Sequence, residues 1–202
     1  MKKNILITGG SNGIGLELVY YFLKKNNMVF TTFKTDKKNL FILKNKYKNN
    51  LWIHKLDLSK ASSVKNFSKK IQNKVKSLDV IIFSALKNIR RKPFKKISLK
   101  EHMNVYTSNF LSYVIILKKL FIFFKKNQKT KIIHISSLTS KNGSWGLSNY
   151  GPYKAGMDNL FKCLKYEINE NIKFESVYLG AVDTKGYRYT NRKSKNKKFI
   201  SV

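Results

Sequence analysis

Short runs of apolar, largely β-branched residues alternate along this chain with longer segments whose apolar positions recur at helical spacing, and nothing else in it narrows the fold so far. Ile5–Thr8, Met28–Phe33, Leu51–Leu56, Val80–Ser84, Ile132–Ser136 and Lys173–Leu179 read as strands. Helical segments fall at Gly15–Lys25, Lys37–Tyr47, Ala61–Val75, Met103–Lys125 and Pro152–Asn169, the first carrying Leu16, Val19, Tyr20 and Leu23 on one stripe. Strands apolar on both faces have to be covered on both faces, the condition of a parallel sheet with helices above and below it. One α/β domain, a doubly wound parallel sheet, is therefore expected over residues 1–186. Residues 187–202 read as a loose basic tail, in which Phe199 to Val202 has the character of a short last strand.

Composition excludes several other readings. The 202 residues carry 42 Lys+Arg against 10 Asp+Glu, a net charge of +32, yet 42% are hydrophobic, so the chain is no disordered polycation. The cations are spread over its whole length and are nearly all lysine, which fits solvated faces better than a built phosphate-binding surface. Salt-sensitive stickiness to polyanions follows, but no specific nucleic-acid partner. The single cysteine, Cys163, excludes an internal disulfide and reads as a small buried hydrophobe. His54, His102 and His134 are scattered, with no ligand spacing, so no metal site is expected. The apolar run Ile5-Leu6-Ile7 is too short for a signal peptide, and Phe110 to Phe124, broken by Lys118 and Lys119, falls short of the ~20 apolar residues of a membrane span. A soluble, cytoplasmic protein is expected.

The first strand ends in Thr8-Gly9-Gly10-Ser11-Asn12-Gly13-Ile14-Gly15 and runs straight into a helix. Gly9 suits the tight turn out of the strand, Gly13 the approach of backbone to a pyrophosphate, and Gly15 close packing of helix on sheet. The helix start then offers unpaired N–H groups and the positive dipole end to an anion.

This octapeptide resembles the TGxxxGIG motif of the short-chain dehydrogenase/reductase family, and the resemblance, to its classical type in a C-terminally short form, runs in order over about residues 3–184. It implies a Rossmann-like domain that binds a dinucleotide through Thr8, Gly9, Ser11, Asn12, Gly13, Ile14 and Gly15. Asp57, in Leu56-Asp57-Leu58, resembles the family's adenine-contacting acid, although it also suits a helix N-terminus ahead of Ser59. Where NAD-preferring members carry an acid at the end of the second strand, this chain has Phe33, and the basic position used by NADP-preferring members is Lys34. NADP(H) is therefore favoured and NAD(H) remains open, with Asp36 close by.

Tyr150-Gly151-Pro152-Tyr153-Lys154 matches the family's YxxxK. The i, i+4 spacing sets Tyr150 and Lys154 on one face of a helix's first turns, where Pro152 is tolerated. The pair makes chemical sense: a free tyrosine has a pKa of about 10, and a neighbouring ammonium stabilises the phenolate. By resemblance Lys154 also holds the nicotinamide ribose, Ser137 positions the substrate carbonyl, and Asn109 holds a water that relays protons to the lysine. Leu179-Gly180-Ala181-Val182-Asp183-Thr184 resembles PGxxxT, so that Val182 and Thr184 meet the carboxamide and phosphate.

The resemblance implies an NAD(P)-dependent oxidoreductase moving hydride between the cofactor and a small carbonyl or alcohol substrate, as a homodimer or homotetramer. Three features depart from the family. Its NNAG is here Phe83-Ser84-Ala85-Leu86, with Ala85 at the ribose; Leu179 replaces a proline; and the chain stops soon after the sixth strand. They keep open an alternative, a catalytically weak dinucleotide-binding protein acting as sensor or partner. Lys87 to Lys100 carries seven cations on the expected substrate side, most simply a solvated loop. The stripe Phe110, Tyr113, Leu117, Leu120, Phe121 and Phe124 reads as core and is wide enough to serve a dimer interface as well.

Overall fold

A computed structural model describes residues 1–86, 89–124, 129–168, 171–184 and 187–188. Lys87, the helix ends expected at Lys125 and Asn169, and the expected last strand from Phe199 to Val202 lie outside them.

The strands are β1 (Asn4–Thr8), β2 (Met28–Phe33), β3 (Leu51–Lys55), β4 (Val80–Phe83), β5 (Thr130–Ser137) and β6 (Ile172–Leu179). They pair in parallel in the order β3-β2-β1-β4-β5-β6. The sheet grows one way from β1 to β3 and the other way from β4 to β6, which is the doubly wound arrangement expected. The switch between β1 and β4 opens a crevice at the strands' carboxyl ends.

Helices α1 (Gly13–Lys24) and α2 (Lys38–Lys46) cover one face, where Val19, Leu23 and Leu40 pack on Ile5, Ile7, Val29 and Ile82. On the other face α3 (Ala61–Lys74), α5 (Ser112–Leu120) and α7 (Gly151–Glu167) pack against Leu6, Phe30, Ile81, Ile132 and Phe174, while α4 (Leu99–Tyr106) buries Val105 in a separate cluster with Ile89, Leu147 and Tyr153. A short helix, α6 (Thr139–Asn142), follows β5.

The helix expected from Met103 begins at Leu99. Ser98 caps it reciprocally, its hydroxyl accepting from the Glu101 N–H at 3.2 Å while the Glu101 carboxylate accepts from the Ser98 N–H at 3.0 Å. The helical run Leu99–Phe123 is long and apolar enough to cross a membrane, but here Val105, Tyr113, Ile116, Leu117 and Leu120 are spent on the core. Two side chains correct the sequence reading. Phe121 is exposed rather than core. Cys163 is exposed as well, because α7 buries positions 154, 157, 158, 161 and 164 and residue 163 falls off that stripe.

Candidate active site

At the β1/β4 switch lies a cleft of about 700 Å³, lined by the glycine turn, the ends of β2 and β3, Ser84 and Ala85 after β4, Ser136 and Ser137 on β5, and Tyr150, Lys154, Val182 and Thr184. The turn is built around two glycines. Gly9 sits at φ +74°, and a Cβ on it would lie 2.6 Å from the Ala85 Cα. A Cβ on Gly15 would lie 2.3 Å from the Gly9 carbonyl oxygen, so the start of α1 rests directly on the turn. Gly10, given no role in the sequence reading, is as constrained: a Cβ there would meet the Thr31 Oγ1 at 2.1 Å. The N-cap of α1, Asn12, makes no capping hydrogen bond and the first turn holds no acid, so the helix start faces the cleft without a side-chain anion. Thr184 faces Gly13 across the cleft mouth, with its Cγ2 3.2 Å from where a Cβ would stand.

Thr8 corrects the expectation that it contacts the cofactor. It is fully buried beneath the cleft, where its hydroxyl oxygen accepts from the Ser84 and Ala85 N–H groups at 3.1 and 3.2 Å. The Tyr113 hydroxyl donates to the Ala85 carbonyl and stacks its ring on Phe83 at 4.3 Å. Thr8 and Tyr113 thus clamp the segment that departs from the family pattern, and the cleft continues past Ala85.

Lys34 and Asp57 face each other in the cleft where β2 and β3 end, 3.1 Å apart. Burial would raise the Asp57 carboxyl, but hydrogen bonds from Ser59 and the Lys34 ammonium bring it down to about 2. Asp36 lines the cleft as well, and its carboxylate accepts from the Lys38 N–H at 3.1 Å.

At the inner end, β5 delivers Ser137 and the first turns of α7 deliver Tyr150 and Lys154. The Ser137 hydroxyl hydrogen-bonds the Tyr150 phenol and opposes the upward push that burial gives it. The Lys154 Nζ stands 5.7 Å from the centre of the Tyr150 ring. Burial lowers this ammonium to about 7, against the pull of Asp158. Tyr153 does not line the cleft: its ring lies 5.4 Å from Lys154 Nζ and edge-on to Tyr150, it is buried beside Ile89, Val105 and Leu147, and among the described residues its hydroxyl has no hydrogen-bond partner.

Asn109 is not brought to the cleft. Residues Thr107–Leu111 form a π turn between α4 and α5, which presents Ser108 to the cleft and leaves Asn109 fully buried. Sequence reasoning also missed two polar groups behind the site. His134 and Asp158 meet through Nδ1 and Oδ1 at 3.2 Å, and Asp158 accepts from the Ser136 hydroxyl at 2.8 Å. The one available signal was a histidine inside the apolar strand Ile132-Ile133-His134-Ile135. Its partner lies 24 residues away.

A second cavity, about 300 Å³, opens off the first past Ser137 and Tyr150. Leu86, Ile89, Leu138, Leu147, Leu179 and Ala181 give it an apolar wall, and Arg91 stands at it with Nη1 donating to the Ser144 hydroxyl at 2.9 Å.

Residues 3–195 match the family model described as short chain dehydrogenase. A benzil reductase ((S)-benzoin forming) of Bacillus cereus is 27% identical over 191 residues, covering 90% of this chain and 76% of its own. A 3-oxoacyl-(acyl-carrier-protein) reductase, FabG, of Buchnera aphidicola (subspecies Schizaphis graminum) is 30% identical over 171 residues, covering 83% and 68%. Among solved structures, ElxO with NADP bound superimposes with a TM-score of 0.83 at 28% identity, over 93% of this chain and 77% of that one.

Proposed function

The chain belongs to the short-chain dehydrogenase/reductase family, and from that premise we propose that it exchanges an apolar ketone and its secondary alcohol with NADP(H), using Tyr150, Ser137 and Lys154. As a member of this family it is an NAD(P)-dependent oxidoreductase. The observation that carries the finer reading is the meeting of Ser137, Tyr150 and Lys154 at the inner end of the cleft, where the second cavity opens.

The cleft suits the cofactor. Side-chain carbon is excluded where Gly9 and Gly15 form the turn, and the uncapped start of α1 would hold the pyrophosphate through its N–H groups. When bound, the nicotinamide supplies or takes the hydride. In the reducing direction the Ser137 hydroxyl donates to the substrate carbonyl oxygen and orients it. The Tyr150 phenol gives that oxygen its proton, and the Lys154 ammonium stabilises the phenolate left behind. Asn109 has no part in substrate contact in this scheme.

Lys34 supports the NADP preference. Its ammonium is already held at the adenosine end by Asp57, within the cleft, and no carboxylate occupies the Phe33 position to repel a 2′-phosphate. The apolar wall of the second cavity supports an uncharged ketone. The exposed Met103, Tyr106 and Leu111 on and beside α4 support a homo-oligomer.

The test joins a fluorescence titration with NADPH and NADH to turnover of benzil as a probe ketone, for the wild type and Tyr150→Phe. Saturable binding by both proteins, tighter for NADPH, with turnover lost in Tyr150→Phe, is expected. Residual turnover near the wild-type rate in Tyr150→Phe would overturn the assignment of the acid.

A further inference from the structure

Behind the cleft, three ionisable side chains are packed in a row out of water. His134 is fully buried in the middle of β5, and Lys154 and Asp158, one turn apart on α7, are 6% and 7% exposed. Asp158 Oδ1 lies 3.2 Å from His134 Nδ1, and His134 Nε2 lies 3.3 Å from Lys154 Nζ. Lys154 Nζ also donates to the Ile135 carbonyl.

The chemistry of these groups leaves one arrangement of protons. An ammonium only donates and an ionised carboxylate only accepts, while a neutral imidazole does one at each nitrogen. Nε2 must therefore accept from Lys154, and Nδ1–H must donate to Asp158. Two cations side by side in a dry site repel, so the histidine stays neutral while the lysine is charged. Burial lowers His134 to about 4 against the opposing pull of Asp158, and the charge of Lys154 acts in the same sense as burial. Among the described residues the other groups around the imidazole are not charged: Phe83 and Ser176 stand opposite it on β4 and β6, and the Phe161 ring meets it edge-on at 6.0 Å. Asp158 also acts on Tyr150 and Tyr178, and accepts from Ser136.

We propose that His134, held in one tautomer by Asp158, is a positioning residue that grips the Lys154 ammonium through Nε2 and keeps it charged beside Tyr150. Of the three N–H bonds of Lys154, the Ile135 carbonyl takes one and His134 a second. The third is left for the cleft, which Lys154 lines. The inference rests on Tyr150 and Lys154 acting as proposed above. It assigns to this chain a buried Asp–His–Lys row, in which the strand histidine supplies the acceptor and the helix carboxylate fixes its orientation.

The experiment is 15N NMR of the full chain, reading the His134 ring nitrogens and the titration of the Lys154 amine without any carbonyl substrate, in the wild type, His134→Gln, His134→Leu and Asp158→Asn. The wild type should show Nδ1 protonated and Nε2 bare from pH 5 to pH 8. Removing the acceptor in His134→Leu should lower the Lys154 midpoint by about one to two pH units, tenfold to hundredfold in proton affinity, as expected for a hydrogen bond to a charged group. His134→Gln, which keeps an acceptor, should recover most of that shift, and the alkaline limb of benzil turnover should move with the Lys154 midpoint. Asp158→Asn should populate the other tautomer above the Lys154 midpoint, where the neutral amine can accept from Nε2–H. A wild-type ring protonated at Nε2, or a Lys154 midpoint unmoved in His134→Leu, overturns the inference. Should His134→Leu fail to fold, the wild-type tautomer and the Asp158→Asn comparison decide it. Failure of the catalytic reading is seen separately, as turnover in Tyr150→Phe.

Discussion

Gly15→Ala isolates the contact on which the phosphate-binding turn depends. A Cβ at residue 15 would lie 2.3 Å from the Gly9 carbonyl oxygen, 2.9 Å from its carbon and 3.2 Å from the Ser84 hydroxyl. Ordinary contact begins near 3.4 Å, so about 1.1 Å must be found. The turn has little to give: Gly9 N–H is tied to the Thr32 hydroxyl at 3.0 Å, Gly10 N–H to the Thr32 carbonyl at 2.9 Å, and Ala85 stands against Gly9 on the other side. Helix α1 therefore has to back off, drawing Val19 and Leu23 away from Ile5 and Ile7. Strain of this kind costs about 1–3 kcal/mol. Without the clash the same change would stabilise a helix by up to ~1 kcal/mol, so the sign of the effect is diagnostic. For a chain of this size each kcal/mol moves Tm by about 2–4 °C. We expect a Tm roughly 2–12 °C below wild type and NADPH affinity at least about tenfold weaker, since the displaced atoms are those proposed to meet the pyrophosphate. The assays are thermal unfolding by circular dichroism and fluorescence titration. A Tm equal to or above the wild type, with unchanged NADPH affinity, would refute the packing argument.

Lys34→Ala should weaken NADPH by about two- to fivefold, the scale of an exposed ion pair, and change NADH by less; equal losses for both cofactors would remove Lys34 from 2′-phosphate recognition. Tyr153→Phe should keep turnover and raise stability slightly in urea unfolding, because the hydroxyl it removes is buried without a partner among the described residues. Stability should fall with pH in two steps. His134 has its folded pKa depressed from 6.5 to about 4, so its contribution is present above 6.5 and lost as pH falls through 4. Asp57 and Asp158, held near 2 against an ordinary 3.8, lose theirs below that. Urea midpoints measured from pH 8 to pH 3 should show the upper step, worth up to about 3 kcal/mol, and His134→Gln should erase it. A wild-type curve flat between pH 6.5 and 4 would contradict the buried neutral imidazole.

Much of this molecule is decided by residues close together in the chain, and those parts were legible. Alternating apolar runs define strands and helices because their periods are 2 and 3.6 whatever lies beyond, and element ends were found to within about two residues except where a cap governs them. The Ser98/Glu101 capping box moved the start of α4 four residues back from Met103. The glycine turn was legible for the same reason, since Gly9, Gly13 and Gly15 act through their own backbone and immediate neighbours. Tyr150 and Lys154 were legible because four residues is one turn of helix.

What only the tertiary structure decided involves partners far apart in sequence. Whether a polar side chain faces the cleft or the wall behind it depends on the packing of whole elements. Thr8 became a clamp because β4 lies against β1 and brings the Ser84 and Ala85 N–H groups to its hydroxyl. Asn109 turned inward because a π turn shifts the helix face at that point. Lys34 met Asp57 because β2 and β3 are neighbours in the sheet and their ends share one rim. His134 found Asp158 and Lys154 only when α7 folded back across β5. Local chemistry chose the elements and their turns; the free energy of burying their apolar faces chose which of those elements meet, and with them the company each polar group keeps.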